Sequence, residues 1–323
     1  MNEHSSVYIG GFSYELGEQE FDLEELVEIQ GDPSNIQKLA QMGIKRYRTS
    51  EKPVLELAKA AINSFFDKGL TRREEIDGIV FCTNSFWCGR EFQEGSLSDF
   101  WESLGLGNAY PIASSFSFCG NFLTGARTAR NYIKSGDFTN VLLVVADRTA
   151  QGVTRVVPPM ISIGSDAASC CLLTSQPLTD YEIFPISQST NARMGQLDPD
   201  KDFKAYTQGV AKGVTQNVQK ALSHAGIGRK EITGVIPNNY NKWLTPSMVK
   251  LAGLSDELVQ LDNIPRFAHA GASDICINLS DYTAGLENPK DEYLLLLSTG
   301  PAMWGSVVIK GVEKNLTENL SIH

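Results

Sequence analysis

The sequence predicts an α/β protein built from two similar halves, each alternating strands with helices. Three observations carry this. First, GLTRREEIDGIVFCTNS (Gly69–Ser85) has a second copy within Val218–Asn241. Laid on one another, Gly69, Glu75, Ile76 and Gly78 fall on Gly226, Glu231, Ile232 and Gly234, with one residue inserted in the first copy. Second, the apolar runs Val141–Asp147 (VLLVVAD) and Tyr293–Ser298 (YLLLLS) occupy matching places in the two halves. Third, 323 residues with 42% hydrophobic and 20% charged content suit a soluble globular chain with a large core. Runs this apolar need covering on both faces, which implies parallel or mixed sheets with helices on each side. Ser175–Asp180 (SQPLTD) is the natural junction, giving halves 1–176 and 177–323.

Taken in order, the chain opens with a short strand, Val7–Ile9, then Gly10-Gly11 and a polar, acidic stretch through Glu25. Asp32-Pro33-Ser34 reads as a turn and helix start. Pro53–Phe66 carries apolar residues at helical spacing and opens on proline, so it predicts an amphipathic helix. A loop then leads into the strand Gly78–Cys82. Within Pro111–Asp147 an apolar segment ends at Cys119, where a helical pattern begins, and a buried strand follows. Cys170 and Cys171 lie in the apolar run Ala168–Leu173 and read as core residues.

The formal net charge of −10 argues against binding nucleic acid or anionic membranes through the whole surface. There is no N-terminal basic-then-apolar signal and no apolar run long enough to span a bilayer, so a cytoplasmic location is expected. The six cysteines, Cys82, Cys88, Cys119, Cys170, Cys171 and Cys276, show neither a CxxC pair nor zinc-ligand spacing. No metal is expected.

Cys119 is the first candidate for chemistry. At a helix start, unpaired amide N–H groups and the positive end of the helix dipole lower a thiol's pKa and stabilise an oxyanion formed beside it. A buried structural cysteine is the alternative. Of four histidines, His4 and His323 lie at the chain ends, and His224 is explained by the C-terminus of a helix. That leaves His269, among small residues in RFAHAGASD, with Asp274 five residues on. A cysteine nucleophile needs a base oriented by a third group, and this pair meets the need. A core histidine with Asp274 as a helix cap fits the spacing equally. Asn238, Asn239 and Asn241 follow the strand Val235-Ile236, where parallel sheets usually build their sites, although Pro-Asn-Asn is also an ordinary turn. Gly300 follows an apolar strand and could add a backbone N–H to that of Cys119 in an oxyanion hole.

Four segments together resemble the ketoacyl synthase III branch of the thiolase-fold condensing enzymes. Cys119 in SSFSFCGNFLTGARTA is similar to that family's active-site cysteine, and Pro237–Asn241 (PNNYN) to its Pro-His-Gln-Ala-Asn segment. Arg266–Asp274 resembles its Gly-Asn-Thr-Ser segment, and STGPAMWGS its C-terminal glycine-rich loop. The resemblance implies a five-layered αβαβα fold, usually a homodimer, with no cofactor beyond the phosphopantetheine or coenzyme A portion of the substrate. It also brings out departures. Asn238 stands at the family's histidine and His269 at its asparagine, while Pro301 replaces a loop glycine. Cys119, His269 and Asp274 thus resemble a divergent subgroup with a Cys-His-Asp triad, whose members act as acyltransferases or starter-unit condensing enzymes in secondary metabolism.

The expectation is an acyltransferase. It would take an acyl group from an acyl carrier protein or acyl-CoA thioester onto Cys119 and pass it to a small-molecule or carrier-bound acceptor. His269 would serve as base, Asp274 as its orienter, Asn238 as a hold on the thioester or acceptor, and Gly300 as an oxyanion donor. Decarboxylative carbon–carbon condensation is the alternative, since the ordinary family stabilises its enolate with His and Asn together. A non-catalytic partner subunit of a heterodimer is the third reading. The tryptophan that often stacks on adenine in the family is missing from Glu28–Arg48, which favours carrier-bound donors. Arg46, Arg48, Arg127, Arg130 and Arg148 are the candidates for docking an acidic carrier.

Overall fold

The architecture follows from strands that alternate strictly and are apolar on both faces. The computed structural model describes residues 6–86, 92–198, 201–286 and 288–313, so Cys88, His4 and His323 fall outside the described residues. Ten strands form the main sheet: β1 (Tyr8–Leu16), β2 (Gly78–Cys82), β3 (Tyr110–Ser114), β4 (Asn140–Asp147), β5 (Ala167–Thr174), β6 (Tyr181–Ile183), β7 (Ser187–Thr190), β8 (Gly234–Pro237), β9 (Tyr293–Gly300) and β10 (Met303–Gly311). The principal helices are α1 (Val54–Phe66), α2 (Asn121–Ser135), α3 (Phe203–Ala225) and α4 (Asp274–Ala284).

The order is β8-β9-β10-β6-β1-β5-β4-β2-β3, with β7 beside β10. Pairing is parallel for β2 with β3, β2 with β4, and β8 with β9, and antiparallel elsewhere. Only Tyr8↔Glu182 and Ile9↔Tyr181 join β1 to β6, so the array is two sheets meeting at one corner. Four strands of each follow the same order, and β3 extends the first. Strands β2, β4, β5 and β1 of the first correspond to β8, β9, β10 and the β6/β7 pair of the second.

Period-two alternation distributes the side chains between layers. Val80, Leu143 and Cys171 of the first sheet, with Ile236, Leu296 and Val307 of the second, share one core with Phe122 and Ala126 of α2 and Ile275 and Leu279 of α4. The intervening residues Ile79, Leu142 and Cys170 face α1, and Val235, Leu295 and Val308 face α3. The result is five layers, a thiolase-like αβαβα fold: α1, first sheet, α2 with α4, second sheet, α3.

The repeat has a physical content in both copies. Gly69 and Gly226 lie just past α1 and α3 with φ of +66° and +69°, the left-handed conformation that ends a helix without a Cβ penalty. Glu75 then accepts the Arg72 N–H (3.0 Å) and Glu231 the Gly228 N–H (3.1 Å), fixing the same short turn before β2 and β8. The N-terminal strand is longer than the expected Val7–Ile9. It runs through Gly10-Gly11 to Leu16, because a register shift between Gly10 and Ser13 absorbs Gly11 (φ +69°) as a bulge.

Candidate active site

The N-termini of the two central helices converge, and each brings part of the site. Cys119 is not itself the first residue of α2. Strand β3 ends at Ser114 and a 3-10 turn, Phe118–Gly120, precedes the helix. Phe116, just before the turn, and Phe118, its first residue, have φ of 63° and 47°, a conformation costing non-glycine residues roughly 1–3 kcal/mol each. That strain is held by specific contacts. Asn121 Oδ1 accepts the Ser117 N–H (3.2 Å), Thr124 donates to the Ser117 hydroxyl (3.0 Å), and the Cys119 carbonyl accepts from the Ser298 hydroxyl (2.8 Å) and Asn238 Nδ2 (3.4 Å).

His269 comes from the other half. Ala268 (φ 53°) turns the chain, and the His269 backbone is then clamped to the short strand Ser162–Ile163 and its neighbour, donating to Ile163 C=O (3.0 Å) and accepting the Ser165 N–H (2.8 Å). Its Nε2 lies 3.1 Å from Cys119 Sγ, and its Nδ1 lies 2.5 Å from Asp274 Oδ2. Asp274 also receives the Asn239 N–H (2.8 Å) and the Ala270 N–H (2.7 Å), so the same carboxylate serves the backbone turn and the imidazole. His269 is 4% exposed and Asp274 fully buried. Burial alone would lower the His269 pKa, but Cys119 and Asp274, both in contact with the ring, outweigh it and raise it well above 6.5. A protonated His269 ring, held between the Cys119 sulfur and the Asp274 carboxylate, is the state this favours.

Asn238 is buried close by, yet its amide faces the protein. Nδ2 donates to Gly271 C=O (3.1 Å) and Cys119 C=O, while Oδ1 accepts from the Thr299 N–H (3.0 Å) and lies 3.0 Å from the Ser298 hydroxyl, whose single proton it shares with the Cys119 carbonyl. The thioester contact expected of it from sequence therefore has no polar atom left to make it. Asn239 pairs with Asn278 (3.3 and 2.9 Å), and Asn241 Oδ1 caps the Trp243 and Leu244 N–H groups. Gly300 lies against the nucleophile turn: a Cβ there would be 3.2 Å from Ser117 O and 3.9 Å from Cys119 N. Among the described residues the Cys119 N–H has no acceptor.

Two residues that the sequence did not single out complete the surroundings. Tyr240 lays its ring 4.9 Å from that of His269 and donates its hydroxyl to Thr299 C=O (2.6 Å), and Ser298 holds the Cys119 carbonyl. Both sit beside residues already picked out, Asn241 and Gly300. Their partners are 29 or more positions away, so no local pattern signals them. A cavity of about 300 Å³ adjoins the turn, lined by Ser117, Gly120, Thr124, Gln188, Thr190 and Trp304 among others. The expected docking arginines are mostly engaged. Arg46 and Arg48 pair with Glu20, Arg130 donates to Ile183 C=O, and Arg148 to Glu51 and Lys52 carbonyls, leaving Arg127 exposed. Among the described residues no group of three or more His, Cys, Asp or Glu side chains is arranged to hold a metal ion, and no helix is long and apolar enough to cross a membrane.

Fold and site define a thiolase-fold protein with cysteine, histidine and aspartate in contact across its two halves. The profile of the 3-oxoacyl-[acyl-carrier-protein] synthase III family matches residues 116–192. The β-ketoacyl-[acyl-carrier-protein] synthase III of Chlamydia pneumoniae is 24% identical over 320 residues, covering 90% of this chain and 92% of the relative, and that of Chlamydia caviae is 25% identical over 327 residues with the same coverage. The solved structure of the acyltransferase ChlB3 matches with a TM-score of 0.79 at 17% identity, covering 95% of this chain and 98% of the other. An OleA variant of Xanthomonas campestris matches at 0.76 and 16%, covering 94% and 98%. The chain is thus similar along most of its length to β-ketoacyl-[acyl-carrier-protein] synthase III proteins and has the thiolase fold.

Proposed function

We propose that this enzyme moves an acyl group from a carrier-protein or coenzyme A thioester, through acyl-Cys119, to a heteroatom acceptor, in polyketide or fatty-acid-type secondary metabolism. The Cys119 thiolate attacks the thioester carbonyl carbon, and the oxyanion is received by the open Cys119 N–H with the Gly300 N–H beside it, each donor being worth on the order of 3 kcal/mol. Collapse expels the thiol, which takes the His269 proton. The acceptor's hydroxyl, amine or thiol then loses its proton to His269 Nε2 as it attacks the acyl-Cys119 carbonyl, and Asp274 holds the imidazole in the useful tautomer. No cofactor is needed beyond the substrate's own phosphopantetheine.

The observation that carries heteroatom transfer over condensation is the engagement of Asn238. A decarboxylative route generates an enolate that needs two donors, and with both Asn238 N–H groups committed to Cys119 and Gly271 carbonyls, His269 would stand alone. Asn238 is instead a positioning residue for the nucleophile turn. Condensation is kept as the second reading because the relatives from both Chlamydia species are β-ketoacyl synthases.

The halves 1–176 and 177–323 would act as one unit in each copy of a homodimer. The edge of β3, which among the described residues pairs only with β2, and the turn that follows it carry Tyr110, Phe116 and Phe118, 63%, 72% and 46% exposed, the kind of apolar surface a second copy covers. Intact-mass spectrometry after exposure to a panel of carrier-bound and coenzyme A thioesters tests the proposal. One acyl group should appear per chain and none on C119A. Full labelling of C119A would sink the mechanism, and carbon dioxide release in step with product would move the reading to condensation.

A further inference from the structure

A relay of side-chain amides runs behind the nucleophile turn, starting from a carboxylate that the acyl chemistry does not touch. Asp147, the last residue of β4, accepts the Asn84 backbone N–H (2.6 Å) and the Thr83 hydroxyl (3.3 Å) at Oδ1, and the Asn84 side-chain Nδ2–H (3.2 Å) at Oδ2. Asn84 therefore turns its own Oδ1 away from Asp147, where Asn121 Nδ2 donates to it (3.0 Å). Asn121, fully buried, has its Oδ1 left to accept the Ser117 N–H (3.2 Å). Ser117 lies between the two left-handed phenylalanines, two residues before Cys119.

Each amide in the relay could flip with almost no movement of heavy atoms, exchanging donor for acceptor. The two ends forbid it. An ionised carboxylate has no proton to give, and a backbone N–H can only donate. We infer that Asp147 is a positioning residue for the nucleophile: its carboxylate sets the direction of the Asn84–Asn121 relay, so that Asn121 presents an acceptor to Ser117 and holds the strained turn that aims Cys119 at His269. Burial pushes the Asp147 carboxyl up to about 6, helped by Asp166 and opposed by its bonds from Asn84 and Thr83, so the acceptor-only form prevails at neutral pH.

This direction can be reversed and then restored. In D147N the Asn84 backbone N–H keeps a carbonyl oxygen at the Oδ1 position, which turns the new NH2 toward the Asn84 side chain. Asn84 and Asn121 must both flip to meet it, and an NH2 then faces the Ser117 N–H. N121D fails from the other end, since it sets a carboxylate oxygen against Asn84 Oδ1. The double variant D147N/N121D has the same net charge as the wild type and runs the relay the other way. Its donor starts at position 147, passes through a flipped Asn84, and ends on a carboxylate that accepts from Ser117.

The inference rests on Cys119 being the nucleophile, but its test needs no acyl donor. Iodoacetamide alkylation of Cys119, followed at the level of its peptide, should slow about tenfold or more in each single variant and return to within about threefold of wild type in the double. A single variant that unfolds while the double melts near wild type supports the relay equally. Singles that react at the wild-type rate overturn it, as does a double variant that is no faster than the slower single or does not fold. Should the wild type follow this alkylation pattern yet take no acyl group from any thioester, the acyl-transfer reading alone fails.

Discussion

The two halves share a strand order and differ in the electrostatics of one helix end. In each, a residue with left-handed φ precedes a central helix, Phe118 before α2 and Ala268 before α4. The first turn of α2 carries no acidic residue and Gly120 at its N-cap makes no side-chain bond, so the positive end of the helix is left for a thiolate or an oxyanion. Helix α4 begins with Asp274 itself, whose carboxylate occupies the equivalent end and is turned to His269. One architecture used twice thus yields an anion-receiving end and an anion-bearing end, and their meeting makes the Cys119–His269 pair. Neither half holds the site alone.

Removing what the second half contributes should have the largest effect. H269A is expected to cut acyl transfer by about 10³–10⁴-fold, with C119A/H269A little worse than C119A alone, because the pair acts as one unit. Additive losses would mean that the two helix ends work independently. D274N comes next, at about 10²–10³-fold. The Ala270 and Asn239 N–H groups both need acceptors there, and an amide offers one oxygen where the carboxylate offers two. The imidazolium would lose the neighbouring charge that holds its pKa well above 6.5.

The same shift gives a stability signature. A histidine whose pKa is raised on folding contributes stability that is fully present below its unfolded value, about 6.5, and lost as pH rises through the folded value. The melting temperature of the wild type should therefore exceed that of H269Q most at pH 6 and below, with the gap closing in alkaline buffer. A gap that widens with pH would mean that His269 is neutral in the folded enzyme.

Much of this was legible in the sequence where the signal is local or repeated. The glycine and glutamate of the repeat mark the same helix end and turn twice, and the apolar runs of β4 and β9 fall in equivalent strands. Cys119 is marked by a strand-to-helix junction, and His269 by the scarcity of histidine, of which the chain has four, with Asp274 five residues on; the structure places the three in contact. What escaped was set by distance along the chain. The engagement of Asn238 depends on Gly271, Ser298 and Thr299, and the Asp147 relay on residues 63 and 26 positions away in β4's surroundings, for which no periodicity exists. In the sequence, strand β1 ends at its glycines, because a bulge is indistinguishable from a break without the partner strand.

Two smaller predictions probe the scaffolds. Helix α2 lies directly against the first sheet at Gly125, where a Cβ would be 2.5 Å from both Cys82 Sγ and Leu143 Cδ1, whereas α4 packs with Ile275 and Leu279. G125A should cost about 1–3 kcal/mol in denaturant unfolding, through overpacking in the central layer. The least costly changes are also the sharpest comparison. Gly69 and Gly226 hold φ of +66° and +69°, and nothing lies within 4 Å of a Cβ built on either. Replacing either by alanine therefore meets no steric neighbour, and the loss is the left-handed backbone penalty alone, about 1 kcal/mol each. The two sites end helices on opposite outer layers, so the losses should be equal within about 0.5 kcal/mol and additive in the double variant. Unequal losses would place the difference in the helices α1 and α3 rather than in the repeated turn, since the turn is the part that the two halves have in common.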